Sequence, residues 1–247
     1  MKARNLYCIA GLLFFFCRSL VCAETLHLVT EDYPPFNMRL SGENSGGSDD
    51  PLTGISTDIV RELFKRAGIG YTIRIYPWKR AYDMALKKPG YGVFSTTRTP
   101  EREPLFKWVG PIVSNDWILM AKKSRNIKIS SLEDAHKYDI GGYKGDALSI
   151  FLEKKGFRLQ CARRDYLNAR KLNLDRIDIW ATGSLKGPYL AKKEGISGLE
   201  QVFLFKQTMM FIAFNPSVSD DRISKLNQVL RNMEADGSTD RIFRRYR

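Results

Sequence analysis

Histidine is nearly absent. His27 and His136 are the only two in 247 residues. Neither stands at a metal-ligand spacing, so no metal site is expected. Cysteine is scarce too. Three of the four, Cys8, Cys17 and Cys22, fall at the amino end and leave Cys161 alone. One remaining thiol excludes an intrachain disulfide, and without a histidine nearby in sequence a catalytic thiol is not expected. There is no Gly-x-Ser-x-Gly elbow, no phosphate loop and no Gly-x-Gly-x-x-Gly. These gaps argue against serine hydrolases and nucleotide-dependent enzymes. No pair of carboxylates stands out as catalytic, and no cofactor is expected. After residue 23, no apolar run approaches the ~20 residues that cross a bilayer.

The amino end reads as a secretory leader. Lys2 and Arg4 form a basic start, and Leu6 to Phe16 is an apolar run too short to span. Val21-Cys22-Ala23 offers a cut, so 1–23 is expected to leave and Glu24 to begin the mature chain. Cys17 and Cys22 follow Phe16 and Val21 rather than a small residue, so a lipid anchor is not expected. The expected location is the periplasm. The whole chain has 40 basic and 27 acidic residues. Without Lys2, Arg4 and Arg18, 37 basic residues remain, a net charge near +10. The basic residues are scattered, which argues against nucleic acid, and the net positive field favours anionic ligands or contact with an anionic membrane surface.

Hydrophobic periodicity then sets out two α/β halves. Strands are expected at 25–30, 71–76 and 91–94, with helices at 54–67 and 77–88 between them. That alternation predicts a parallel α/β lobe. Residues 41–53 read as a polar loop. An extended run at 112–122 leads to a second set: a short helix at 131–135, strands at 138–142, 159–162 and 176–181, and helices at 147–155, 166–174 and 188–193. A second extended run, 204–213, returns the chain. An amphipathic helix at 220–235 and a basic amphipathic end at 239–246 close it. The expected division is 24–112 with 208–247 as lobe one and 113–207 as lobe two. Two lobes joined by two crossings leave a cleft for a small ligand.

Residues 91 to 111 carry the most chemistry. An apolar strand turns into Ser95, Thr96, Thr97 and Thr99, with Arg98 and Arg102 among them. Hydroxyls and a guanidinium past a strand end make a donor-rich wall for a carboxylate. The same residues also read as a capped helix with a surface arginine.

The chain resembles the periplasmic solute-binding proteins of the polar amino-acid type, family 3, over nearly all of its mature length. The resemblance rests on Tyr33-Pro34-Pro35-Phe36, Gly54-Ile55-Ser56-Thr57-Asp58-Ile59, Thr97-Arg98-Thr99-Pro100-Glu101-Arg102 with Phe106 and Gly110-Pro111, the turn Gly141 to Asp146, and Ala235-Asp236-Gly237-Ser238-Thr239. It implies a type II binding-protein fold and a non-catalytic receptor that closes two lobes on one ligand. The partner implied is a membrane importer or sensor, and a monomer is expected. Arg102 would fork onto a ligand carboxylate, with Ser95 and Thr97 adding contacts. Tyr33 would cover the ligand, with Phe36 and Trp78 beside it. Trp180 would either line the cleft or pack beneath it. Two departures stand out. Asp146 replaces a hydroxyl at the start of the lobe-two helix, where it either caps the helix or takes the ligand amine. No carboxylate lies near Gly183, where the family places its amine-binding acid, so either Asp146 takes the amine or the ligand has no α-amine or is larger. The alternative function is a dehydratase-like lyase on the same scaffold, acting on a small cyclic acid.

Overall fold

The computed structural model describes residues 25–40 and 51–246. The expected leader, 1–23, and most of the expected polar loop, 41–50, lie outside them. Strand β1 (Leu26–Thr30) buries Leu26 and Leu28 completely. Prolines 34 and 35 follow it, and the chain turns back through a Tyr33–Asn37 bridge. Two short strands, β2 (Met38–Arg39) and β3 (Leu52–Thr53), then pair antiparallel. Leu52 and Thr53 are therefore strand, not the end of a loop.

Helix α1 (Ile55–Ala67) puts Ile55, Ile59, Val60, Leu63 and Phe64 on its buried face. Each such side chain contributes about 1.5–3 kcal/mol by leaving water. Gly68 ends the helix in a left-handed conformation (φ 61°) that glycine adopts without a Cβ clash. Strand β4 (Tyr71–Ile75) and helix α2 (Trp78–Lys87) follow, with Pro77 setting the helix entry.

Strand β5 (Tyr91–Thr97) runs through the hydroxyls that were expected to end it. Ser95 is the extra residue where the register shifts, since Phe211 and Ile212 pair with Thr96 and Phe94, and it sits at φ 60°. The expected helical turn is a 3-10 turn at Glu103–Leu105. The run 112–122 is two strands, β6 (Lys107–Ser114) and β7 (Trp117–Lys122), broken at Asn115-Asp116.

The second half holds β8 (Ile140–Tyr143), α3 (Ala147–Lys154), β9 (Leu159–Ala162), α4 (Tyr166–Asn173), β10 (Ile179–Gly183) and α5 (Lys186–Lys193). The second extended run also divides, into β11 (Leu199–Lys206) and β12 (Met209–Phe214). Helices α6 (Asp220–Ala235) and α7 (Ser238–Arg244) complete the chain.

Two five-stranded sheets result, ordered β4-β1-β5-β12-β6 and β11-β7-β10-β8-β9. The chain crosses between them from Ser114 to Trp117 and again from Lys206 to Met209. The first lobe is parallel at β4-β1-β5, as expected, but β12 pairs antiparallel with both β5 and β6. The returning strand inserts into the sheet instead of lying at its edge. Helices α1 and α6 share one core with Leu26, Leu28 and Phe36. The second sheet is packed on both faces. Trp117, Leu119 and Ile179 lie on one side, and Ile118, Met120 and Trp180 on the other. Among the described residues no helix is long and apolar enough to cross a membrane.

Candidate ligand-binding cleft

The carboxyl end of β1 delivers Glu31, Asp32 and Tyr33 to the gap between the sheets. A cavity of about 290 Å³ opens there. Lobe one lines it with Glu31, Tyr33, Arg39 and Tyr76, and lobe two with Tyr143, Arg163, Asp165 and Lys186. The lobes touch across it. Tyr143 donates to Glu31 over 2.6 Å. Lys154 pairs with Glu101 nearer the surface. Asn115, at the first crossing, donates to the Tyr33 hydroxyl over 3.3 Å.

Lys186 is the deepest charge. It opens α5 and is 1 % exposed. Its ammonium lies 2.6 Å from Asp165 Oδ2 and 4.0 Å from Asp146 Oδ2. It also stands 4.1 Å from the Tyr33 ring centroid and 5.0 Å from that of Tyr143. Burial works against its charge, but Asp165, Tyr33 and Asp146 outweigh this and hold the ammonium well above the usual lysine range. Asp165 is itself fixed by the Trp180 indole N–H and by Asn168, each over 2.9 Å.

Burial pushes the neighbouring acids the other way. The Glu31 carboxyl rises from 4.5 to about 8, against the pull of Tyr143 and Lys186. Asp146 is also raised by burial, with Lys186 and Arg102 opposing. Asp146 starts α3 without making a side-chain cap. Its carboxylate lies at the limit of ion-pair distance from Lys186 and stays partly exposed.

Arg102 forms the second cationic centre. Its guanidinium lies 5.3 Å from the centroids of both Trp78 and Tyr82 and donates to the Thr97 carbonyl over 3.1 Å. Among the described residues no carboxylate comes within ion-pair reach. Burial lowers its pKa, while Tyr82, Asp146, Glu101 and Glu31 offset part of that. Arg98, four residues earlier, pairs with Glu103 and lies over Trp108 and Phe211.

The sequence-predicted residues thus separate into groups. Tyr33 lines the cavity and Asp146 adjoins it through Lys186. Arg102, Thr97 and Trp78 gather with one another on lobe one but do not line this cavity. Ser95 is half-buried, with its hydroxyl donating to Asn37 over 2.7 Å. Phe36 and Trp180 are fully buried and expose no surface to a ligand. Phe36 stacks behind Tyr33 at 5.8 Å, and Trp180 holds Asp165. Sequence reasoning passed over Glu31, Tyr143, Asp165 and Lys186. Glu31 sits immediately past a strand end, which is a readable signal. Lys186 is one of many scattered lysines and carries none.

The sequence profile of the bacterial extracellular solute-binding proteins, family 3, matches residues 26–247. The chain belongs to that family. Several solved structures share its fold. A histidine kinase sensor domain with similarity to periplasmic binding proteins superposes with a TM-score of 0.78 at 13% identity, over 90% of this chain and 95% of its own. A mutant of the arginine-binding protein ArgBP from T. maritima gives 0.74 at 18%, over 90% and 94%. The GluR0 ligand-binding core from Nostoc punctiforme, in complex with L-glutamate, gives 0.74 at 20%, over 90% and 98%. No curated relative matches the sequence. The family is one of solute binders rather than enzymes, and two sheets joined by two crossings are its type II architecture.

Proposed function

We propose that this family member is exported, captures a small carboxylate-bearing solute between its lobes and passes the loaded form to a membrane partner. One observation carries the ligand chemistry. Arg102 is drawn partly out of water onto two aromatic rings, yet it has a single backbone acceptor and no carboxylate partner among the described residues. A planar guanidinium held in this way is matched by a carboxylate, which can take two parallel hydrogen bonds. Ser95 and Thr97 stand on the same strand and belong to the same wall. Tyr33 lines the cavity wall, but its ring is already taken by Phe36 and Lys186, so it supports the site rather than covering the ligand.

Closure follows from the contacts that span the gap. A ligand bridging both lobes stabilises the closed form by its differential affinity for it. The Glu31–Tyr143 and Glu101–Lys154 pairs then close beside it. The partner is an ABC importer or a sensor. The fold match to a histidine kinase sensor domain supports the second as well as the first. The basic start and apolar run of residues 1–23 support export.

A thermal-shift screen of amino acids and small carboxylates would identify ligands, since a molecule that binds only the native state raises the melting temperature. For any such hit, Arg102→Ala is expected to weaken calorimetric affinity by roughly 2–5 kcal/mol, the scale for removing one partner of a buried charge pair. An unchanged affinity would remove Arg102 from the site.

A further inference from the structure

The surroundings of Lys186 are those of a binding site for an organic ammonium. Two carboxylates approach one point, Asp165 at 2.6 Å and Asp146 at 4.0 Å. Two tyrosine rings flank the same point, at 4.1 and 5.0 Å. Carboxylates and aromatic faces together are how proteins recognise alkylammonium groups. Here the cation belongs to the chain. Lys186 reaches it from the first turn of α5 and is 1 % exposed, so solvent is excluded from the pair. Trp180 and Asn168 hold the acid that receives it. The position near Gly183 offers no substitute acid. A Cβ there would come within 2.2 Å of Asn115 Oδ1. Any side chain at that point would have to displace Asn115, whose Nδ2 donates to the Tyr33 hydroxyl.

We propose that Lys186 is a built-in occupant of the cleft's ammonium subsite, and that it selects carboxylate ligands which lack an α-ammonium group. Bound solute enters the remaining cavity, which Lys186, Arg39, Arg163 and Arg164 line together with Glu31, Asp32 and Asp165, and its carboxylate reaches toward Arg102 outside that lining. An α-amino acid placed there must give up the water around its ammonium while Asp165 is already paired with Lys186. The same carbon skeleton without the amine carries no such cost. The selectivity half of this inference rests on the carboxylate reading of Arg102. The occupied subsite does not.

Removing the side chain tests both halves. Lys186→Ala deletes the alkylammonium and leaves Asp165 unpaired. Millimolar n-propylammonium should raise the melting temperature of that variant, or its refolding yield if it is unfolded alone, by far more than n-propanol does. The wild type should show no difference between the two additives. Equal effects of amine and alcohol on the variant overturn the proposal. Matched ligand pairs then read selectivity. Glutarate should bind the wild type at least ten times more tightly than glutamate, and Lys186→Ala should lose or reverse that order. The same order at the same ratio in both proteins overturns the selectivity. If neither protein binds any carboxylate but the amine still rescues the variant, the subsite stands and the carboxylate reading falls. Should the variant never fold, nitrogen-15 spectra of the wild type decide. A slowly exchanging lysine ammonium with through-space contacts to the Tyr33 and Tyr143 rings is expected, and its absence overturns the occupied subsite.

Discussion

Arg102 on lobe one and Lys186 on lobe two are each drawn out of water, in different ways. Lys186 is sealed in and neutralised, with a carboxylate at 2.6 Å, a second at 4.0 Å and aromatic rings on two sides. Arg102 is half-buried on Trp78 and Tyr82 and holds only the Thr97 carbonyl. A buried cation with its own anion is part of the fold, because removing either member strands the other. A guanidinium with spare donors has no such internal anion. The lobe-two charge therefore belongs to the fold, and the lobe-one charge is the one for which a ligand role is proposed.

The sharpest way to break this contrast is to remove the internal anion. Asp165→Ala leaves Lys186 charged, buried and without its nearest partner, and it strips acceptors from Trp180 and Asn168. Unfolding free energy should fall by about 3–5 kcal/mol. The pair of substitutions Asp165→Asn and Lys186→Met should regain most of that loss, because both charges go together. Urea denaturation reads both; a single-variant loss below about 1 kcal/mol would mean that the pair is not structural. Trp180→Phe is milder. It removes one hydrogen bond to a charged group and keeps most of the apolar volume, so about 1.5–3 kcal/mol is expected. A neutral outcome would show that Asn168 and Lys186 suffice to hold Asp165.

The same contrast explains what the sequence could reveal. Helix α1 announced itself through Ile55, Ile59, Leu63 and Phe64 at helical spacing, and Gly68 marked its end. Arg102 was visible because it follows a strand end and a run of hydroxyls. Both signals are local. Lys186 and Asp165 lie 21 positions apart and become partners only when α4 and α5 pack on the second sheet. No local pattern distinguishes that lysine from a solvated one. Trp180 was open to either role, lining the cleft or packing, because strand alternation does not say which face of a doubly covered sheet meets a ligand. It turned to the core formed with Ile118 and Leu190. The two extended crossings were legible as apolar runs. Their breaks at Asn115-Asp116 and Gln207-Thr208 were not, because the side chains there bond across the crossings: the Thr208 hydroxyl donates to the Asn115 carbonyl, and Asp116 accepts from the Thr208 amide.

Glu31 sharpens the comparison through pH. Its folded carboxyl, facing Tyr143, Lys186, Asp146 and Asp165, is raised from 4.5 to about 8, first by burial. Between those values the native chain keeps a proton that the unfolded chain has lost. Stability then declines as pH rises through that window, and the decline is complete above about 8. Glu31→Gln cannot ionise and should flatten this part of the profile. Melting temperatures from pH 5 to 9 would show it. A variant profile parallel to the wild type over the whole range would assign the dependence to another group.

The smallest expected effect separates two arginines of the same segment. Arg98 and Arg102 both lie over aromatic rings, but Arg98 pairs with Glu103 at the surface, with 41% of its side chain exposed. Exposed pairs of this kind contribute about 0–1 kcal/mol, because water screens them and long side chains lose entropy in forming them. Arg98→Ala should therefore change stability by less than about 1 kcal/mol and leave the affinity of any carboxylate hit unaltered, while Arg102→Ala abolishes most of it. Calorimetry on the two variants with one ligand compares them directly. Equal losses would mean that the segment acts through its overall charge, and a loss confined to Arg98→Ala would move the carboxylate anchor four residues toward the strand.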